Sequence, residues 1–384
     1  MERPVIDENN AQKENQEIEN EEERELKQTP ELNQRPHTGS KHLEFNLSNF
    51  PMLLVGNAKI ASRIDRAFGN DSWMDKWGHG VIEYGNPDIT EHEIYTALQS
   101  IGNDKAPGVD GYNAVIFNHT WKILKKDVIE AVKNFYTTGK LFKPFNCGLV
   151  SLIPKVQSPK NVKECRPIAC CTVIYKIISK VLTRRMHDVI ANIICESHAG
   201  FILGRKIADN IILAHELVKT YTRKNISPRS MLKIDLQKAY DSVEWPFLEQ
   251  LMVGLGFPDM FIQWVMHCVK TVYYTIVVNG KTTQRFDAAK VLRQGDPMSL
   301  FLFAIAIEYL SRLLKGLKEE KTFKYHPKCS KLAITRLCFA NDLLLFSRGD
   351  VESIKILQRC FLEFSQASEL QANLTKSSIY CGGV

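Results

Sequence analysis

Two aspartates in this sequence stand where hydrophobic segments meet turns, which is where carboxylates of a rigid site are held. Asp235 lies within the short apolar run Met231–Leu236, and Asp342 lies in the link between two further apolar runs. If these runs form neighbouring strands, the two carboxylates converge, and converging carboxylates repel unless a cation lies between them. Paired Mg²⁺ ions about 3.5–4 Å apart would then support an in-line phosphoryl displacement. The alternative is that both are ordinary turn aspartates.

The distribution of charge indicates a polyanionic partner. The chain of 384 residues carries a net charge of +7, although residues 1–36 hold eleven acidic and five basic side chains. The stretch Lys140–His187 has ten Lys and Arg residues and a single acidic residue, Glu164. Nucleic acid is the commonest polyanion that such a segment contacts, whereas a solvated basic surface is the alternative.

Composition excludes several classes of protein. Hydrophobic residues make up 44% and charged residues 24%, as in ordinary globular proteins. No apolar run reaches the roughly 20 residues that cross a bilayer, and Leu300–Ile307 stops at Glu308, so we expect a core helix there and no membrane partner. The N-terminus lacks a signal-peptide core, and the ten cysteines form no C-x-x-C pair. We therefore expect reduced thiols and an intracellular protein, nuclear or cytoplasmic and not secreted.

Periodicity and turn residues predict the elements that would position the two aspartates. Residues 1–42 are polar and acidic and are predicted to form a disordered tail. The predicted helices are 91–101, capped by Thr90, then 121–136, 175–191 and 298–314, the last opened by Asp296 and Pro297. The predicted strands are 147–154, 231–236, 335–339 and 343–346, with a hairpin at 273–286 around Asn279–Gly280.

Three segments resemble consecutive motifs of the reverse transcriptase of non-LTR (LINE-type) retrotransposons, in particular those of plants. They are Asp235-Leu-Gln-Lys-Ala-Tyr-Asp241, Leu292-Arg-Gln-Gly-Asp-Pro297 and Phe339-Ala-Asn-Asp-Leu-Leu-Leu-Phe346. Further segments upstream are similar to family blocks, namely Asp104–Gly111, Leu152–Lys155, Arg166–Ile168, Ala199–Arg205 and Asp209–Asn210. The resemblance covers about residues 90–384.

The resemblance implies an α+β fold, a right-hand polymerase with fingers and palm in which helices flank an antiparallel palm sheet. It places the fingers at about 90–230 and the palm at about 231–384, with no complete thumb. Residues 43–89 are similar to the end of the endonuclease domain that precedes the polymerase in these elements. They are too few to form its core, so the chain is interpreted as a partial copy with an endonuclease remnant.

The resemblance also implies an RNA-directed DNA polymerase that uses an RNA template, a DNA primer and deoxynucleoside triphosphates. Asp235, Asp342 and the backbone carbonyl of Leu236 match the metal ligands, with Mg²⁺ as the cofactor and Mn²⁺ as a possible substitute. Tyr240 matches the bulky residue that excludes a ribose 2′-hydroxyl; its alternative is a buried core aromatic. Lys376 matches a lysine that protonates pyrophosphate; its alternative is a solvated lysine.

Further nucleotide-binding residues follow from the same resemblance. Lys155 and Arg166 match finger residues that bind the incoming triphosphate, and a simple surface charge is the alternative for each. Arginine suits this role because its planar fork donates two hydrogen bonds to phosphate oxygens. Arg293, Gln294 and Gly295 match the loop beneath the templating base pair, where glycine permits close approach of the backbone.

Four positions depart from the family pattern. Asn341 stands where the family tetrapeptide Phe-Ala-Asp-Asp has its first catalytic aspartate, and a neutral amide coordinates Mg²⁺ more weakly than a carboxylate. Val291 replaces a usual glycine, and Leu203 and Leu300 replace usual prolines. The sequence therefore predicts impaired activity. The alternatives are an inactive nucleic-acid-binding remnant and a splicing maturase, which would require a thumb-like RNA-binding extension.

Overall fold

The computed structural model describes residues 88–200, 202, 204–219, 221–223, 225–278, 280–288, 292–339 and 342–383, with the backbone alone at Asp188. The predicted acidic tail, nearly all of the segment 43–89, and Leu203, Val291 and Asn341 lie outside these residues. The described chain divides into two compact units. The first comprises residues 88–189 and 257–301, and the second comprises residues 190–256 and 302–383.

Helices and strands alternate along the described chain, which gives a mixed α+β fold. The helices are α1 (Glu91–Gln99), α2 (Ala114–His119), α3 (Trp121–Thr138), α4 (Val173–Ile193), α5 (Ile207–Val218), α6 (Ala239–Ser242), α7 (Trp245–Gly254), α8 (Asp259–Lys270), α9 (Ser299–Gly316) and α10 (Val351–Ser368). The strands are β1 (Cys147–Pro154), β2 (Cys165–Cys170), β3 (Arg229–Gln237), β4 (Tyr273–Val278), β5 (Lys281–Thr282), β6 (Phe286–Asp287), β7 (Arg336–Phe339), β8 (Asp342–Ser347), β9 (Gln371–Ala372) and β10 (Ser378–Gly382). The predicted α+β class is confirmed.

The first unit contains a mixed sheet in the order β2-β1-β4-β5, with β6 also paired to β4. Strands β1 and β2 are antiparallel, whereas β1 and β4 are parallel and start with Cys147 opposite Tyr273. This distant pairing brings residues 257–301 into the first unit. The contiguous division at residue 230 predicted from the sequence therefore differs from the units of the structure.

The second unit contains an antiparallel sheet in the order β10-β3-β8-β7, with β9 also paired to β3. Its central strands are apolar: Ile234, Leu343 and Leu345 are all buried. The portion of α9 in this unit is buried from Leu302 to Leu310, so the core helix predicted at this apolar run is confirmed. A buried sheet centre supports polar side chains at the ends of its strands.

Local signals in the sequence determine several element boundaries. At α1, the Thr90 hydroxyl accepts from the Glu93 amide at 3.2 Å while the Glu93 carboxylate accepts from the Thr90 amide at 2.9 Å, a reciprocal capping box. The last predicted helix begins at Ser299, because the Asp296 side chain accepts from the Met298 amide at 3.0 Å in the preceding turn. Within the described residues, no helix is long and apolar enough to cross a membrane.

Candidate active site

Asp235 and Asp342 lie directly opposite each other on the adjacent antiparallel strands β3 and β8. Residues opposite each other in such a pair have Cβ atoms about 4.5–5.5 Å apart, and their side chains share one face of the sheet. Both aspartates are partly exposed, while the neighbouring Ile234 and Leu343 are buried and fix the strands. The predicted convergence of the two carboxylates is therefore confirmed.

The surroundings of Asp342 make its charge unfavourable without a cation. Burial raises the pKa of its carboxyl group above the usual value, and the charge of Asp235 raises it further, whereas Lys233 and Lys376 lower it. Two neighbouring carboxylates are the oxygen donors that hard divalent cations prefer, so this pair fits such an ion. Within the described residues, however, no group of three or more His, Cys, Asp or Glu residues could hold a metal.

Lys376 lies in the turn between β9 and β10, which is hydrogen-bonded to the main chain of Asp235. The main-chain carbonyl of Asp235 accepts from the Asn373 amide at 2.7 Å, and the Asp235 amide donates to the Ser377 hydroxyl at 3.1 Å. The Lys376 side chain is exposed, and its positive charge acts on Asp342. The structure thus places Lys376 in the turn that contacts the main chain of Asp235, close enough for its charge to act on Asp342.

Leu236 and Tyr240 follow Asp235 along the chain. Leu236 lies opposite Ala372 and its side chain is buried. Lys238 has a φ of 47°, a left-handed conformation that ends β3 and starts α6. Tyr240 in α6 is half-buried, and its ring centroid lies 5.1 Å from that of Phe303. Its ring is therefore partly packed and partly exposed, so both predicted interpretations of Tyr240 remain.

Arg166 lies on β2, and Lys155 directly follows the end of its partner strand β1. Arg166 is opposite Ile153, and the Lys155 amide donates to the Glu164 carbonyl at 2.8 Å, which extends the β1–β2 ladder beyond Pro154. Because side chains alternate along strands, Lys155 and Arg166 are diagonal neighbours on one face of this hairpin. Lys155 is exposed and Arg166 is partly exposed. The structure brings these two predicted cations together.

Arg293 lies at the centre of a buried polar cluster in the first unit. Its guanidinium donates to the Asn146 side chain at 2.6 Å and to the Cys268 carbonyl at 3.2 Å, and it stacks 3.8 Å from the centroid of the Tyr175 ring. Its Nε atom also lies 3.5 Å from the Asp296 carboxylate. Only 4% of Arg293 is exposed, so it has almost no surface with which to contact a nucleotide. Arg293 thus belongs to this loop through its contacts with protein, and its predicted contact with nucleotide stays a prediction.

The same cluster holds the Asp296 carboxylate. It accepts hydrogen bonds from the Tyr175 hydroxyl and the Ser179 hydroxyl, each at 2.5 Å. Burial raises the pKa of the Tyr175 phenol well above its usual value, so the hydroxyl keeps its proton and donates it. Arg293 and Asp296 therefore fix the two ends of the turn that contains Gln294 and Gly295.

Gln294 and Gly295 are the accessible residues of this turn. The Gln294 carbonyl accepts from the Ala169 amide at 3.1 Å, which attaches the turn to β2. Gly295 is exposed and has a φ of +100°, a conformation that side chains other than glycine rarely adopt. The predicted need for glycine at this position thus has a physical basis. Gln294 and Gly295 are also the residues of this turn whose surface is accessible to a nucleotide.

The sequence interpretation missed residues that position the predicted ones. The tripeptide Asn373-Leu-Thr375 is a turn signal that could have indicated the turn at Lys376. No local signal marks the partners of Arg293, because Asn146 and Tyr175 are more than a hundred residues away in the chain.

Comparison with known proteins identifies the family. The family described as "Reverse transcriptase (RNA-dependent DNA polymerase)" matches residues 153–382, which is more than half of the chain. The chain therefore belongs to the reverse transcriptase family, whose members generally use divalent metal ions.

Relatives specify the branch of this family. The chain is 26% identical to the "Transposon TX1 uncharacterized 149 kDa protein" of Xenopus laevis over 76% of this chain and 22% of the relative. It is 24% identical to the "Retrovirus-related Pol polyprotein from type-2 retrotransposable element R2DM" of Drosophila melanogaster over 75% of this chain and 26% of the relative. The chain thus spans about a quarter of these relatives. The predicted resemblance is confirmed as that of a non-LTR retrotransposon reverse transcriptase domain.

Two telomerase structures align with part of this chain. A structure of apo telomerase from Candida tropicalis, truncated from its C-terminal domain, aligns with a TM-score of 0.46 at 14% identity, over 73% of this chain and 59% of that chain. A second structure, of telomerase with a fragment of telomeric RNA, has a TM-score of 0.45 at 14% identity, over 71% of this chain and 45% of that chain.

Proposed function

We propose that this chain is an RNA-directed DNA polymerase that extends a DNA primer on an RNA template with deoxynucleoside triphosphates. The observation that carries the proposal is the placement of Asp235 opposite Asp342 on adjacent strands. Membership of the reverse transcriptase family and similarity to retrotransposon proteins support it.

In the second unit, Asp235, Asp342 and the carbonyl of Leu236 would hold divalent cations, Mg²⁺ or Mn²⁺. Such cations supply charge stabilisation at the phosphoryl group that is transferred. Lys376 is exposed and its charge acts on Asp342, so its ammonium group would give a proton to departing pyrophosphate. The partly exposed ring of Tyr240 would occupy the space of a ribose 2′-hydroxyl and so select deoxynucleotides.

In the first unit, Lys155 and Arg166 would bind the triphosphate, because they present two cations on one face of the β1–β2 hairpin. Arginine donates bidentate hydrogen bonds to phosphate, and lysine contributes a point charge. Gln294 and Gly295 would contact the templating pair on a turn that buried Arg293 fixes. The basic stretch Lys140–Arg185 would bind the sugar–phosphate backbone.

We further propose that the activity is low because Asn341 replaces a metal-binding aspartate. Two divalent ions bring a charge of +4, and replacing an aspartate by asparagine removes one compensating protein charge. Each ~1.4 kcal/mol added to the barrier lowers the rate tenfold, so a barrier raised by several kcal/mol corresponds to about a thousandfold loss. An inactive nucleic-acid-binding protein is the second candidate, and the two-carboxylate donor set in the described residues favours it.

Primer extension on one primed RNA template tests both candidates. We expect Asn341→Asp to raise extension with Mg²⁺ by about three orders of magnitude or more. Mn²⁺, which tolerates poorer ligand sets, should raise extension by the unmodified chain. Adding Asp235→Asn should abolish the restored activity and is the negative control. Robust Mg²⁺-dependent synthesis by the unmodified chain would show that Asn341 is tolerated. No synthesis by a folded Asn341→Asp protein with either metal would favour the second candidate.

The proposal extends to the origin of the chain and its location in the cell. The residues of its motifs support an origin in the plant lineage of these elements. Residues 43–89 would then derive from an endonuclease domain. All ten cysteines are free, which suits a reducing intracellular compartment, nuclear or cytoplasmic.

A further inference from the structure

The strand that flanks β3 on the side away from β8 is interrupted at Asp235. Strand β9 pairs with Leu236 and Gln237, and β10 pairs with residues 229–233. The five residues 373–377 therefore lie against only Ile234 and Asp235. An insertion of this kind leaves main-chain groups of the continuous strand without their ladder partners. The interruption thus coincides with the aspartate of the acid pair.

The inserted turn replaces the missing partners of Asp235. The Asp235 carbonyl accepts from the Asn373 amide at 2.7 Å, as a ladder residue would. The Asp235 amide, however, donates to the side-chain hydroxyl of Ser377 at 3.1 Å. Ser377 is 5% exposed, so little water can take the place of its hydroxyl. The main chain at Asp235 is therefore held on this side by one amide and one hydroxyl of the same turn.

Hydrogen bonds within the turn make it a single unit. The Asn373 side-chain oxygen accepts from the amide and the hydroxyl of Thr375, at 3.2 and 2.8 Å. The Asn373 carbonyl accepts from the amides of Lys376 and Ser377, at 3.1 and 2.9 Å. Moving Ser377 would therefore move Lys376 and Asp235 together.

We infer that Ser377 is a positioning residue that sets the orientation of the Asp235 carboxylate and couples it to the turn of Lys376. The inference rests on the proposed function in one respect, the assignment of Asp235 as a metal ligand. It goes further because it makes metal affinity depend on a serine hydroxyl that touches neither metal nor substrate. Groups that hydrogen-bond a ligating side chain typically change metal affinity by about 10–100-fold when removed. Because the Ser377 hydroxyl bonds the main-chain amide of Asp235 and not its carboxylate, we expect an effect near the lower end of that range.

Binding of Mn²⁺ to the full chain without nucleic acid, followed by electron paramagnetic resonance, tests the inference. We expect Ser377→Ala to weaken the affinity at the Asp235–Asp342 pair by about tenfold or more. Ser377→Thr keeps the hydroxyl and should restore affinity. Ser378→Ala removes the neighbouring hydroxyl on β10 and is the matched control, with unchanged affinity expected. Ser377→Cys keeps the side-chain volume with a weaker acceptor, so it provides a second reduced-affinity variant should the alanine variant fail to fold.

Two further measurements separate the possible outcomes. Asp235→Asn should remove this Mn²⁺ site, and unchanged binding in that variant would overturn the metal assignment together with the inference. Hydrogen exchange of the peptide that contains Asp235 should be faster in Ser377→Ala than in Ser378→Ala. If Asp235→Asn removes the site while folded Ser377→Ala binds Mn²⁺ like the unmodified chain, the positioning role is wrong and the metal assignment stands.

Discussion

Replacing Arg293 by methionine should destabilise the first unit strongly, because the side chain joins a buried polar cluster. Methionine keeps much of the apolar stem and removes every donor. The change would leave the Asn146 side-chain oxygen and the Cys268 carbonyl without the partners that lie at 2.6 and 3.2 Å. It would also leave the Asp296 carboxylate without the cation 3.5 Å away.

The expected magnitude follows from these contacts. Removing one partner of a buried ion pair costs about 3–5 kcal/mol. Asp296 would keep the Tyr175 and Ser179 hydroxyls, which lowers the cost, whereas the stranded Asn146 oxygen adds about 1 kcal/mol or more. We therefore expect the free energy of unfolding to fall by about 3–5 kcal/mol, which corresponds to a melting temperature lowered by roughly 10 °C or more.

Urea unfolding followed by tryptophan fluorescence measures this loss, since Trp264 is buried in the same unit. Arg184→Met is the matched control, because Arg184 is exposed and makes no hydrogen bond or ion pair with any described residue; it should change stability by less than about 0.5 kcal/mol. Adding Asp296→Asn to the Arg293 variant removes the stranded charge and should recover part of the loss. A loss below about 1 kcal/mol in Arg293→Met would refute the assignment of Arg293 as a buried structural residue.

Three further predictions concern selectivity, binding and pH. Tyr240→Ala, in a chain with restored activity, should admit ribonucleotides, and because the ring is half-buried it should lower stability by about 2 kcal/mol; unchanged discrimination would make Tyr240 a packing residue. Affinity for an RNA–DNA duplex should fall steeply with salt, and Lys155→Ala with Arg166→Ala should weaken triphosphate use more than duplex binding; a salt-independent affinity would contradict the basic surface. Burial, together with nearby arginines, lowers the pKa of His198 to about 3, so the unfolded state takes up a proton below the usual value of 6.5 while the folded state stays neutral. Stability should therefore fall between pH 6.5 and about 3, by about 2 kcal/mol from pH 6.5 to 5, and His198→Asn should flatten this dependence in urea unfolding.

Features carried by local pattern were predictable from the sequence. Thr90 marked the start of α1, and the apolar runs on either side of Asp342 marked β7 and β8. The short apolar run Met231–Leu236 marked β3, so the opposition of the two aspartates required only that these strands pair. The hairpin of β4 and β5 was likewise confirmed, with Val278 opposite Lys281.

Features that depend on distant partners were not predictable. Strand β2 contains Pro167, which weakens a strand signal, and it forms because β1 supplies its partner. Arg293 looks like any motif arginine in the sequence, and only Tyr175 and Asn146 show that it is buried. The start of α10 has a local signal in the sequence, because the Asp350 side chain accepts a hydrogen bond from the Ser353 amide at 3.0 Å.

The sheet order also determines when the chain can fold during synthesis. Strand β3 is complete once residue 237 has been made, yet its neighbours β8 and β10 end at residues 347 and 382. Strand β1 can pair with β2 once residue 170 has been made, but its other edge waits for β4, whose Tyr273 lies opposite Cys147 and more than a hundred residues beyond it. Nascent chains therefore carry an unpaired β3 and an open edge of β1 for the time needed to add over a hundred residues, which is about 5–20 s at 5–20 residues per second. Unpaired strand edges promote aggregation because they can pair with strands of other chains. The yield of soluble protein should therefore depend on chaperones that bind the chain before its last strands emerge.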